Sequence, residues 1–220
     1  MARKPLEVML EEGSTKVFAA AVGWPGWCRA GKNEEAALQA LADYADRFAV
    51  VAKKAKVPFD PELAADLTVV ERLPGGPATN FGAPEKTFIA ERSRVTPAPA
   101  TRMANLLQAS WDLLDAEAKR APESLRKGPR GGGRDRDKML DHVIGAEAGY
   151  ARKLGVKHKP PELTDRPAIL ALRKDIVAVI GAQSDGQPVV DNGWTTAYAA
   201  RRIAWHVLDH LWEMQDRSES

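Results

Sequence analysis

The chain has 220 residues, 44% of them hydrophobic and 28% charged, which is an ordinary composition for a soluble globular protein. Its formal net charge of +2 is nearly neutral, and without a long clustered basic stretch it argues against a dedicated nucleic-acid-binding protein. The single cysteine, Cys28, excludes a disulfide within the chain and fits a reducing cytoplasm. No run of about 18 apolar residues is present, so we expect no membrane span. The first 13 residues lack the apolar segment of a secretory signal, and we expect a cytoplasmic location.

The first third of the chain predicts an α+β unit. Moderate alternation of apolar and polar side chains favours a hairpin of two strands that turns at Gly13 and Ser14. A Trp-Pro-Gly-Trp turn follows, and Asn33 is a suitable N-cap for one long amphipathic helix. The predicted order is strand, strand, strand, helix and strand, at residues 5–12, 16–23, around Cys28, 34–55 and 67–72.

A proline- and glycine-rich stretch at residues 73–84 separates this unit from a helical part. Residues 86–92 favour one more extended piece. Four amphipathic helices are expected after it and can close a bundle around one core, at roughly residues 100–119, 136–154, 166–182 and 195–216. The predicted domain limits are an α+β domain at residues 1–75, a linker at 76–96 and an all-α four-helix bundle at 97–220.

Three of the four histidines lie at the borders of apolar helix faces. His206 and His210 are four residues apart, so on a helix their imidazoles lie one above the other and can share a cation. His142 occupies a similar border on the second predicted bundle helix. The alternative is that the pair forms an ordinary polar helix border, since the sequence does not show that the two borders meet. His158 is expected to be a solvated loop residue.

Neutral imidazoles suit Zn²⁺, Ni²⁺, Fe²⁺ or Mn²⁺, and three of them leave the ion an open position for water or a thiol. Glu147 falls within an apolar arc, where a carboxylate needs a partner. It is a candidate general base, and the alternative is an ion pair with an arginine such as Arg202. Glu213 follows His210 by three residues and is a candidate hydrogen-bond acceptor for it, with a surface carboxylate as the alternative.

Residues 100–216 resemble the DinB/YfiT-like superfamily of four-helix bundles. The resemblance rests on His142 in the second helix and on the segment His-Val-Leu-Asp-His at residues 206–210 in the last. It implies that His142, His206 and His210 are metal ligands. Members of this superfamily include S-transferases that depend on mycothiol or bacillithiol, a mycothiol-dependent maleylpyruvate isomerase and many uncharacterised proteins. The resemblance does not select one reaction. A thiol-dependent S-transferase is the activity that we expect among these.

The N-terminal third is similar to the HicB-like antitoxin fold. The similarity lies in the predicted hairpin and in residues 24–44, where a Pro-Gly turn, a short strand and a glycine precede a helix that opens with Glu and Ala. Domains of that kind bind partner proteins. This implies an alternative function, a non-catalytic binding or regulatory module with a metal-stabilised bundle, and a homodimer stays open.

The mechanism expected from these features is attack of a metal-activated small thiol on an electrophile. Gly145, Ala146 and Gly149 would leave space for the thiol, Arg202 or the basic loop at residues 127–138 would hold its polar parts, and Glu147 would transfer protons. Hydrolysis by a metal-bound hydroxide would use the same ligands without a thiol. A bundle without any metal is the third interpretation.

Overall fold

A computed structural model describes residues 4–128 and 133–218 of the chain. A four-stranded sheet comes first and a mostly helical part follows, so the predicted layout of α+β and then helices is confirmed. The strands are β1 (Leu6–Glu12), β2 (Val17–Ala21), β3 (Cys28–Gly31) and β4 (Leu67–Pro74). The helices are α1 (Glu34–Asp43), α2 (Ala45–Lys54), α3 (Pro77–Phe81), α4 (Pro97–Ala118), α5 (Arg136–Arg152), α6 (Arg166–Ile180) and α7 (Thr196–Ser218). Short 3₁₀ turns lie at Pro61–Ala65 and Ile89–Arg92.

The sheet has the order β3-β2-β1-β4. The hairpin of β1 and β2 is antiparallel, with Glu12 opposite Val17, and β4 runs parallel to β1 on its other side. Side chains on both faces of β1 and β2 are buried, which requires cover on both faces. Helix α1 covers one face, and Trp205 of α7 packs edge-on against Phe18 on the other, at 5.7 Å between ring centroids.

The helix predicted over residues 34–55 is two helices, because the backbone leaves the helical conformation at Tyr44. Asn33 caps the first helix as expected, with its side chain accepting the backbone N–H of Ala36. Helix α1 packs on β2 and β3, whereas α2 packs on α4. The break therefore lets one apolar stretch cover the sheet and reach the helical part.

The segment between β4 and α4 is not simply extended. It contains α3, and the extended piece predicted at residues 86–92 is instead irregular chain ending in a 3₁₀ turn at Ile89–Arg92. Buried Glu11 of β1 holds this segment, since its carboxylate accepts the backbone N–H groups of Glu85 and Lys86 at 3.0 Å and the hydroxyl of Thr79. Burying that carboxylate is tolerated because its oxygens are hydrogen-bonded.

The helical part is organised around α7, which packs against α4, α5 and α6. One continuous cluster of buried apolar side chains joins the sheet to these helices, from Leu6 and Val8 of β1 to Met214 of α7. The turn before β3 also touches α7. Gly26 has a φ of +92°, and a Cβ there would lie 2.7 Å from Leu208, so both the conformation and the close approach require glycine.

Candidate metal centre

Helices α5 and α7 bring three imidazoles together. Helix α7 is buried over most of its surface, and His206 and His210 are among its buried residues. His142 is half-buried, beside the buried face of α5. One ligand nitrogen from each ring lies within 4.8 Å of those of the other two. The sequence named all three histidines as candidate ligands but did not show that the two helices meet there, and the structure brings His142 of α5 beside His206 and His210 of α7.

The two nearest nitrogens are Nε2 of His142 and Nε2 of His206, at 3.2 Å. Two nitrogens bound at about 2.1 Å to one ion, at tetrahedral or octahedral angles, are about 3.0–3.4 Å apart. The distance therefore fits a shared cation. Without an ion, the same distance suits a hydrogen bond between two neutral imidazoles.

His210 is oriented by a carboxylate. Its Nδ1 lies 3.0 Å from Oε2 of Glu213, whose other oxygen accepts from Arg217 at 2.7 Å. This arrangement leaves Nε2 of His210 for the cluster and is the pattern by which metal-binding histidines are commonly held. Glu213 is thus placed as the sequence suggested. Nδ1 of His206, by contrast, is buried and has no hydrogen-bond partner in the described part of the chain.

Burial favours the neutral form of His142 and His206. Burial lowers the pKa of His206 well below its ordinary value of 6.5, and the nearby charges of His210, Arg202 and Arg134 lower it further. Burial also lowers the pKa of His142, with Arg134 contributing. The hydrogen bond with His210 lowers the pKa of Glu213. A divalent ion binds neutral imidazoles, so the lowered pKa values of His142 and His206 favour a metal site at this position.

Arg202 borders the cluster. Its guanidinium lies 4.8 Å from the ring centroids of both Tyr150 and Trp205, and Tyr150 in turn lies 5.7 Å from His206. The Nη1 atom of Arg202 is buried and has no partner among the described residues. Tyr150 is a neighbour of the site that the sequence did not indicate, whereas Arg134, whose charge acts on His142 and His206, belongs to the basic loop expected at residues 127–138. Arg130, which belongs to the loop expected at residues 127–138, lies outside the described residues.

Open space borders the cluster on α5. A Cβ built on Gly145 or on Gly149 meets no atom within 4 Å, and both glycines are exposed. Ala146 between them is partly buried. The glycines follow His142 by three and seven residues and so lie on the same side of the helix.

Glu147 lies apart in a buried ion pair. Its carboxylate accepts a hydrogen bond from Nε1 of Trp111 at 2.7 Å. It accepts two more from Nε and Nη2 of Arg173, at 2.9 and 3.1 Å. Arg173 also reaches Asp115 at 3.0 Å. This is the ion-pair alternative considered from the sequence, with Arg173 as the partner in place of Arg202. Burial raises the pKa of Glu147, and Arg173 opposes that rise.

The remaining chemistry-bearing side chains lie elsewhere. Nε2 of His158 lies 2.7 Å from Asp175 on α6. Cys28 is completely buried, and this burial raises its thiol pKa to about 12. None of the described helices is long and apolar enough to cross a membrane.

Comparison with known proteins adds no further information about the site. The chain matches no family model, no curated protein and no solved structure. The resemblances to DinB/YfiT-like and HicB-like proteins therefore stay predictions, and function has to be argued from the geometry alone.

Proposed function

We propose that this protein is a metal-dependent enzyme that transfers a low-molecular-weight thiol to an electrophile, with His142, His206 and His210 as its metal ligands. The observation that carries the proposal is the convergence of three imidazole nitrogens within 4.8 Å, one of them oriented by Glu213. Zn²⁺, Ni²⁺, Fe²⁺ and Mn²⁺ suit such ligands. A divalent ion with three neutral ligands supplies Lewis acidity at an open position, where it lowers the pKa of a thiol or of water.

The residues around the cluster have separable roles in this proposal. Glu213 fixes the ring of His210, and burial keeps His206 unprotonated. Arg202 and Arg134 supply positive charge that favours an anionic sulfur or a substrate carboxylate. The open space over Gly145 and Gly149 provides room for the thiol and the electrophile.

The sulfur has to come from outside the chain. Cys28 is the only cysteine of the chain, and it is completely buried in the cluster of side chains through which the sheet packs on Trp205 of α7. A thiol with a pKa of about 12 is not a nucleophile near neutral pH. Glu147 is omitted from the proposed reaction because its hydrogen bonds within the described part of the chain are to Arg173 and Trp111.

The test begins with elemental analysis of protein purified without a metal-affinity tag. Wild type is expected to hold about one divalent ion per chain, and His206→Ala or His210→Ala to lose it, since each removes one of three ligands. His158→Ala is the matched control, because this histidine contacts Asp175 rather than the cluster. Equal metal content in wild type and the double variant His206→Ala/His210→Ala would contradict the proposed site.

The reaction class is tested next with a panel of electrophiles, with and without small thiols. Thiol-dependent turnover that is lost in His142→Ala would support transfer. Turnover without any thiol would indicate hydrolysis by the same site. No turnover in either condition, with metal fully bound, would overturn the enzymatic proposal and favour the binding module.

A further inference from the structure

A second cleft lies away from the histidines, between the sheet and the beginnings of α4 and α7. Its volume is about 210 Å³. Its floor is apolar and buried, formed by side chains that include Met9, Ala21, Val95 and Met103. No histidine is among the described residues that line it. The cleft is therefore independent of the candidate metal centre.

Arg201 of α7 gives this apolar cleft a buried cation. The side chain of Arg201 is only 4% exposed, and its Nε and Nη2 atoms donate to the carboxylate of Glu91. Nη2 also donates to the backbone carbonyl of Lys86 at 2.7 Å. Nη1 is buried as well, and within residues 4–128 and 133–218 it has no hydrogen-bond partner. A buried donor without an acceptor is costly, so an acceptor placed in the cleft would be favoured.

The charge around the cleft is positive. Arg94 lines its exposed mouth, so two guanidinium groups line the cleft against the one carboxylate of Glu91. A third guanidinium, that of Arg102, lies 3.8 Å over the ring of Trp24, which forms part of the wall. An anion is thus attracted to the same place where apolar side chains offer a dry floor.

We propose that this cleft binds a small organic acid with an apolar body. The carboxylate would accept hydrogen bonds from Nη1 of Arg201 and from Arg94, and the apolar body would pack on Met9, Val95 and Met103. The volume is below the range of about 300–1,000 Å³ that is typical of sites for drug-sized ligands. It therefore favours a monocyclic or short branched carboxylate over a larger cofactor.

The 220-residue protein is titrated with benzoate and phenylacetate, and separately with the neutral amides benzamide and phenylacetamide, by calorimetry and ligand-observed NMR. The carboxylates are expected to bind. The amides are expected to bind at least about tenfold more weakly, because they lose a charge-assisted hydrogen bond. Affinity should be the same in metal-free and metal-loaded protein. Equal binding of amides and carboxylates, or no binding of either acid at about 10 mM, would overturn the proposal.

Two variants locate the binding without removing the buried ion pair of Arg201. Ala197→Leu fills the cleft from α7, and Arg94→Gln removes the charge at its mouth. Both are expected to weaken binding of phenylacetate about tenfold or more while the protein stays folded by circular dichroism. Arg152→Gln is the matched control, since Arg152 is an exposed arginine on α5. Unchanged affinity in Ala197→Leu would show that the acid binds elsewhere.

Discussion

The three imidazoles of the candidate metal centre are held by different contacts. His210 is oriented by Glu213 through its Nδ1, whereas His206 is positioned by packing, with 7% of its surface exposed. His142 is the most exposed of the three and approaches His206 through Nε2. Loss of one orienting contact should therefore weaken the site without dismantling it.

Replacing Glu213 by glutamine tests that orientation. The amide keeps the shape of the side chain but loses the negative charge that fixes His210, and such changes beside a metal ligand typically cost about 10–100-fold in affinity. Glu213→Gln is expected to bind Zn²⁺ that much more weakly, as measured by competition with a chelator. Glu162→Gln, at an exposed position before α6, should bind as wild type does. Equal Zn²⁺ affinity in the two variants would show that Glu213 does not support the metal site.

The metal-free protein should lose stability in mild acid. Burial places the pKa of His206 well below 6.5 in the folded chain, while the unfolded chain keeps the ordinary value. Below pH 6.5 the unfolded chain binds a proton that folded His206 does not, so the free energy of unfolding falls as the pH falls toward the folded pKa. His142 acts in the same direction. Thermal unfolding at pH 5 and 7.5 should show a smaller loss for His206→Gln than for wild type.

At the scale of the element, the helices α4 to α7 could be predicted from the sequence because apolar side chains recur at helical spacing in each, although α7 is then buried over most of its surface. The break at Tyr44 could not, since no proline or glycine marks it. Tyr44 packs against Trp212 of α7, at 5.0 Å between ring centroids, and this contact is visible only after the chain has folded. The ion-pair partner of Glu147 could not be predicted for the same reason, because Arg173 lies 26 residues away in the chain.

We expect Gly145 and Gly149 of α5 to leave room beside the helix, rather than to allow a backbone conformation that only glycine adopts. Neither has a positive φ, and a Cβ at either meets no atom within 4 Å. Gly145→Ala should therefore stabilise the helix by about 0.5–1 kcal/mol, which is about 1–4 °C in Tm at this chain length. Gly145→Leu should fold equally well and keep its metal, but it should reduce turnover by occupying the space proposed for the thiol. Undiminished turnover in Gly145→Leu would contradict that use of the space.

Glu147 is expected to join α5 to α4 and α6 rather than to act in catalysis. Removing one member of a buried ion pair costs about 3–5 kcal/mol, and the lower end applies here because Arg173 keeps Asp115. Glu147→Ala should lower Tm by about 6–12 °C on that basis. Its metal content at 20 °C should match that of wild type. A stable variant that had lost only turnover would restore the catalytic role expected from the sequence.

At the scale of the whole molecule, the sequence indicates the two parts but not how they meet. The proline- and glycine-rich stretch predicts a linker at residues 76–96, yet Glu11 binds this segment and Phe88 is buried in it. The buried pair of Arg201 and Glu91 then joins the segment to α7. The residues that form these contacts are 74 to 110 positions apart in the chain, so no local sequence pattern predicts that they meet.

These contacts predict that the chain unfolds as one unit. The apolar cluster runs from Leu6 to Met214 without interruption, so calorimetry should show a single transition. Glu11→Ala leaves two backbone N–H groups, those of Glu85 and Lys86, without their acceptor and should cost about 2–4 kcal/mol. The whole transition should therefore move to lower temperature. Glu12→Ala, at the exposed neighbouring position, should leave it in place. Two separate transitions, with only one of them moved by Glu11→Ala, would instead show independent domains joined by a linker.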